Sequence, residues 1–141
     1  MNRLRPYPIA ALAALTLFTW VSRIGLAWGD DGLSTPEKVV ATIPVVVFVA
    51  LAGSVGAALL SGGRLRAPTL ALAGWTVGYW VLRLPWILAH DHPAGFKVVH
   101  TALAVVAVGL AALAVRALPD RLPTTPPPAG RSSRGPRRAR V

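Results

Sequence analysis

Residues 39–60 read VVATIPVVVFVALAGSVGAALL, 22 positions without one charged side chain. At ~1.5 Å rise per residue a helix of this length reaches about 33 Å, enough to cross the ~30 Å hydrocarbon core of a bilayer. Backbone amides and carbonyls in hydrocarbon have no water to bond, so a single stretch must satisfy them within itself, as a helix. Working outward, residues 8–28, 68–89 and 96–117 have the same length and character. The expectation is an all-α membrane protein with four transmembrane helices.

The charges lie between these blocks and orient them. The chain has 141 residues, 54% hydrophobic, with 15 Lys and Arg against 5 Asp and Glu. Eleven of the basic residues fall before the first block, between the second and third, or at the C-terminal end: Arg3, Arg5, Arg64, Arg66, Arg116, Arg121, Arg131, Arg134, Arg137, Arg138 and Arg140. The acids Asp30, Asp31, Glu37 and Asp91 collect on the other two connections, beside Lys38 and Lys97. Positive charge marks the cytoplasmic side of membrane proteins. Both termini are therefore expected in the cytoplasm of a multi-pass plasma-membrane protein, with connections one and three outside. A cleaved signal peptide is the poorer reading of the first block. No small-x-small cleavage pattern follows it, and Arg23 interrupts it.

Local signals punctuate the blocks. Pro6 and Pro8 suit a helix entrance, and Gly29 and Gly32 stop the first helix. Ser34 with Glu37 three residues on forms a capping box for the second. Gly74 and Gly78 stand at GxxxG spacing, fit for close helix packing within a bundle or between two copies. Pro85 lacks an amide hydrogen and is expected to kink the third helix after Arg83. From residue 119 the chain turns proline-rich and basic, with almost nothing apolar to bury. A disordered cytoplasmic tail is expected, its Arg131, Arg134, Arg137, Arg138 and Arg140 facing anionic lipid headgroups or a partner.

TWVSR at residues 19–23 returns as YWVLR at residues 79–83. Trp20, Val21, Arg23 and Asp31 match Trp80, Val81, Arg83 and Asp91 at an offset of sixty, and KVVAT from Lys38 matches KVVHT from Lys97 at fifty-nine. The pattern predicts two tandem helical hairpins, 1–66 and 67–118, followed by the tail 119–141. Both hairpins start inside, so the expected architecture is an up-down four-helix bundle with an internal twofold axis along the membrane normal.

Each hairpin thus carries an arginine inside a span, in its outer half, close to the interfacial residues Trp28, Trp86, Lys38 and Lys97. Arginine at a helix centre costs roughly 2.5–3.5 kcal/mol on insertion scales, so each needs a compensating partner or a function. The leading expectation is an outer ion-pair layer of Arg23 and Arg83 with Asp30, Asp31 and Asp91, closing the bundle across the axis. One alternative is a vestibule in which the two arginines bind an anion or a polar headgroup; another is that both simply snorkel to the outer interface.

His90, Asp91, His92 and His100 carry metal-ligating groups, but the short spacing of HDH turns its two histidines to divergent sides, and no metal site is expected. A bis-histidine haem needs a second helical histidine facing His100, and the matching position holds Ala41. No cofactor is expected. Cysteine is absent, and no serine–histidine–acid set, phosphate loop or intramembrane carboxylate is evident. The chain reads as non-enzymatic. Net charge of +10 is distributed by topology, so lipid is the expected partner of the basic groups and nucleic acid is not.

WVSR, WVLRLPW and FKVVHTALAVV, within residues 1–118, resemble the small uncharacterised four-span membrane proteins of high-GC actinobacteria. The resemblance implies the same bundle and carries no activity with it. The function expected first is an accessory or scaffold subunit of a membrane assembly, with a protein partner or a homodimer. The alternative is a minimal oligomeric channel or transporter that handles an anion or amphiphile through Arg23 and Arg83.

Overall fold

The computed structural model describes residues 6–118. Arg3 and Arg5, and the C-terminal segment with Arg131, Arg134, Arg137, Arg138 and Arg140, lie outside the described residues. Four helices follow one another: α1 Pro6–Trp28, α2 Thr35–Ser61, α3 Arg66–Ala89 and α4 Ala94–Arg116. Each covers one of the four apolar blocks, with ends displaced by a few residues.

The ends follow local chemistry. Pro6 opens α1, where a missing amide hydrogen costs nothing. Before α2 the Glu37 carboxylate accepts from both the Ser34 amide (2.8 Å) and the Ser34 hydroxyl (2.6 Å). Gly62 ends α2 in the left-handed region, φ +66°, where a side chain would be strained. Pro85 interrupts the amide ladder of α3, yet the helix continues four residues further to Ala89.

Three helices are long and apolar enough to cross a membrane: α1 over Pro6–Leu26, α2 and α4. α3 has the length of a span but falls short in hydropathy, which departs from the sequence expectation of four equal blocks. The cause is its make-up. Arg83, Pro85, Gly74, Gly78 and two threonines dilute the aliphatic residues, and the bulky Trp75, Tyr79, Trp80 and Trp86 carry polar edges.

Short connections fold each helix back along the last. α1 packs on α2 and α4, and α3 packs on the same two. The helices close a circuit. The face that α1 turns inward carries Ile9, Leu12, Ala13, Thr16 and Trp20; that of α3 carries Thr69, Leu72, Ala73, Thr76 and Trp80, each sixty residues on. Val45, Ala52 and Val55 of α2 are buried, as are Ala104, Ala111 and Ala114 of α4, fifty-nine residues on. Thr16 donates to the Leu12 carbonyl at 2.7 Å, and Thr76 to that of Leu72 at 2.8 Å, so neither buried hydroxyl is left unbonded. The alanines of α4 let its neighbours approach closely, the usual way helices associate where no water is expelled.

One core feature has no twin. Phe48 of α2 is fully buried, and its ring stacks on Trp20 with centroids 4.1 Å apart. Tyr79 meets both edge-on, at 5.0 Å and 5.3 Å. The position fifty-nine residues after Phe48 is Ala107. This aromatic block fills the middle of the bundle directly below the arginines.

Candidate functional site

Arg23 lies in the last third of α1 and Arg83 in the last third of α3, so the topology brings both to the same end of the bundle. His100 reaches that level from the opposite direction, six residues into α4. Counted in helical rise, Arg23 is roughly 8 Å from the end of α1 and His100 roughly 9 Å from the start of α4. Side chains lean toward the N-terminus of their helix. Arg23 therefore leans toward the middle of the bundle, and His100 toward the end where α4 begins, and they meet.

The contact is short and directional. An Arg23 Nη2 hydrogen donates to His100 Nε2 at 2.6 Å. Guanidinium has no acceptor, so Nε2 must supply the lone pair, and the ring proton sits on Nδ1. Nδ1 in turn donates to the Phe96 carbonyl at 2.8 Å, which fixes that tautomer. His100 is buried, with Phe96 lying 3.8 Å from its ring centre to centre, so the neutral imidazole is held on two sides. Arg23 also lies beside the Trp20 ring, 5.8 Å from its centroid.

Arg83 has another environment. Its guanidinium rests on the face of Trp86, 4.3 Å from the ring centroid. The position sixty residues before Trp86 is Leu26, and that fifty-nine before His100 is Ala41. The first hairpin thus lacks both features: it has no histidine to hold Arg83 as His100 holds Arg23, and no ring to lie under Arg23 as Trp86 lies under Arg83.

The expected outer ion-pair layer is not what these residues form. Among the described residues neither Arg23 nor Arg83 forms an ion pair with Asp30, Asp31 or Asp91. The acids stand on exposed connections beyond the helix ends, about two turns further out than the arginines. Asp30 Oδ1 accepts instead from the Gly32 amide at 2.9 Å and shapes the turn. The cross-hairpin partner of Arg23 is a histidine that the sequence had suggested only as a metal ligand.

Both arginines line one cavity of about 30 Å³, with His100, Thr19, Tyr79 and Phe96 among its other walls. That is room for a water molecule or two. No carboxylate faces it. Below, Trp20 and Tyr79 belong to the aromatic block that closes the bundle's centre.

The histidine loop also differs from expectation. His90 and His92 both reach Trp86. A tight turn, with the His92 amide bonded to the His90 carbonyl at 2.9 Å, brings both rings to Trp86, at 4.2 Å and 5.8 Å. His90 Nδ1 bonds the Trp86 carbonyl at 2.8 Å, and His92 also packs on Phe96 at 4.7 Å. His92 Nε2 is buried with no hydrogen-bond partner. Among the described residues no group of three His, Cys, Asp or Glu side chains is arranged to hold a metal ion. Aromatic rings separate the histidines from one another.

Lys38 and Lys97 are tied to helix ends. Lys38 Nζ donates to the Trp28 carbonyl at 3.3 Å, and Lys97 Nζ to the Leu88 carbonyl at 3.0 Å. Each lysine covers the negative end of the preceding helix. The two acceptors are themselves sixty residues apart. Trp28 is further held by its indole hydrogen on Thr42 Oγ1, 3.2 Å away.

No family model, curated protein or solved structure matches the chain.

Proposed function

We propose that this protein is an integral membrane binder of an anionic amphiphile, which it holds at Arg83 with Arg23 close behind. The observation that carries the reading is one cavity lined by two guanidiniums and faced by no carboxylate. Cations kept inside apolar helices at a cost of a few kcal/mol mark ligand or ion sites when no internal acid repays them. One of the two is satisfied by a neutral histidine, which leaves its charge uncancelled. The pair therefore projects net positive charge from a low-dielectric surround, where it acts over a longer range than in water.

The setting is proposed as well. The chain crosses the cell membrane four times as two tandem hairpins, both termini cytoplasmic. Support for the repeat is the recurrence of buried positions, of the threonine bonds and of the lysine caps at offsets of sixty and fifty-nine. Support for the fourth span is that α3 matches the others in length and packs between two helices apolar enough to cross. Cysteines at Gly32 and Gly95 should then label from outside intact cells, and one at Gly63 should not; the reverse pattern would invert the orientation.

Conduction is the weaker form of the idea. The recess is water-sized, and the stacked aromatic rings lie beneath it. The accessory-subunit reading makes no use of the cavity and ranks behind it. The test uses protein in neutral detergent titrated with a short-chain alkyl phosphate, followed by tryptophan fluorescence, since Trp86 underlies Arg83. A saturable change is expected for the parent and none for Arg23→Ala with Arg83→Ala. An equal response to a neutral alkyl glycoside, or from the double variant, would overturn the reading. Anion flux through reconstituted liposomes would move it to a channel.

A further inference from the structure

Arg83 borders two recesses, the small cavity shared with Arg23 and a larger groove on the outward face of α3. That groove holds about 600 Å³ and is open along its length. Its floor is Gly74 and Gly78, one turn apart, and Trp75, Leu82 and Trp86 form its walls. A Cβ placed on either glycine would meet nothing within 4 Å. The glycines therefore do not serve packing inside the bundle, and the space above them is unfilled. Trp75, Leu82 and Trp86 are all exposed along the groove.

The head of the groove is a cation with donors to spare. One face of the Arg83 guanidinium is covered by Trp86, and among the described residues its N–H groups have no hydrogen-bond or ion-pair partner. A guanidinium edge matches two oxygens of a phosphate, in hydrogen bonds stronger than those between neutral groups. From Arg83 to Gly74 the helix rises roughly 13 Å. One leaflet of the hydrocarbon core is about 15 Å deep. A cation at one end and an apolar trough one leaflet long are the complement of a single lipid.

We infer that the α3 groove seats one anionic phospholipid, its phosphate on the Arg83 edge and an acyl chain along the Gly74–Gly78 floor. This rests on the reading of the arginines as an anion site and names its ligand class. The water-sized cavity does not take the phosphate in. It places the Arg23 charge behind Arg83, which favours an anionic headgroup over a zwitterionic one. A lipid chain also covers the least apolar of the four helices on the face where it would otherwise meet bulk lipid with a bare backbone.

The experiment reconstitutes the full chain in vesicles of equal parts phosphatidylglycerol and phosphatidylcholine, extracts it in mild detergent and weighs it intact by native mass spectrometry. One phosphatidylglycerol per chain should be retained, preferred over phosphatidylcholine by at least about tenfold, as charge-assisted bonds allow. Arg83→Ala should abolish the preference. Gly78→Leu should fill the floor and remove the retained lipid. Equal retention of both lipids, or full phosphatidylglycerol retention by Gly78→Leu, would overturn the groove assignment and leave the anion site standing. Loss of the alkyl phosphate response in the parent would sink the anion site itself. A lipid-free dimer that Gly78→Leu converts to monomer would give the groove to a second copy of the chain.

Discussion

Arg23 and Arg83 occupy equivalent places in the two halves of the chain and are treated differently by their surroundings. Arg23 is half-buried and bonded to His100 of the adjacent α4; Arg83 is exposed and lies on Trp86 of its own helix. The difference traces to two positions, His100 against Ala41 and Trp86 against Leu26. These two local differences accompany two settings for matching arginines, one bonded to the other hairpin and one stacked within its own helix.

The comparison can be broken from its foundation. Phe48→Ala removes the fully buried ring stacked on Trp20, three residues before Arg23. Loss of a buried phenyl ring costs about 3–5 kcal/mol. Denaturant or thermal unfolding of the detergent-solubilised protein should show a fall of that size, and a near-neutral outcome would mean the aromatic block is not the support of the site. His100→Ala comes next. It leaves a half-buried guanidinium without its acceptor, at an expected cost of about 1–3 kcal/mol. Acid should have the same effect in the parent, since a protonated imidazole has no lone pair to offer. Stability should fall as pH drops in the parent, and less steeply in His100→Ala; parallel curves would show that the bond does not matter.

The direct comparison follows. Arg23→Ala should destabilise by an amount close to His100→Ala, and the two together by little more than either alone, because they remove one contact. Arg83→Ala should cost about 1 kcal/mol or less, the range of an exposed cation on an indole. Equal losses at the two arginines would mean that their surroundings hold them alike. The smallest effects serve as the internal control. Lys38→Ala and Lys97→Ala remove matching helix-end bonds and should each lose about 0.3–1 kcal/mol, alike within error. Unequal losses there would weaken the case that the hairpins are repeats.

The helices were legible in the sequence because long uncharged stretches leave the backbone one choice, and the ends because Ser34, Glu37 and Gly62 act on their nearest neighbours. The two arginines stood out for the same reason, as charges where charge is costly. Their partners did not. Asp31 and Asp91 match at an offset of sixty, as the arginines do, but a helix ends before reaching them, and exposed acids in water have little to gain by turning back. His100 lies 77 residues from Arg23. Its relevance depends on which faces of α1 and α4 converge, which periodicity alone does not settle. The usable signal was the mismatch itself, a histidine where the other hairpin has alanine, read together with the opposite lean of side chains on antiparallel helices. The environment of Arg83 was less legible still, because stacking on Trp86 depends on rotamers rather than on spacing.

The hydrogen bond from Arg23 to His100 also bears on stoichiometry. Two equivalent cationic seats on either side of an axis would hold two anions that repel each other, and binding would spread over a wide range of concentration. With one guanidinium committed internally, a single seat remains. On the proposed reading, titration should follow a simple hyperbola that saturates at one ligand per protomer, whatever the symmetry of the helices around it.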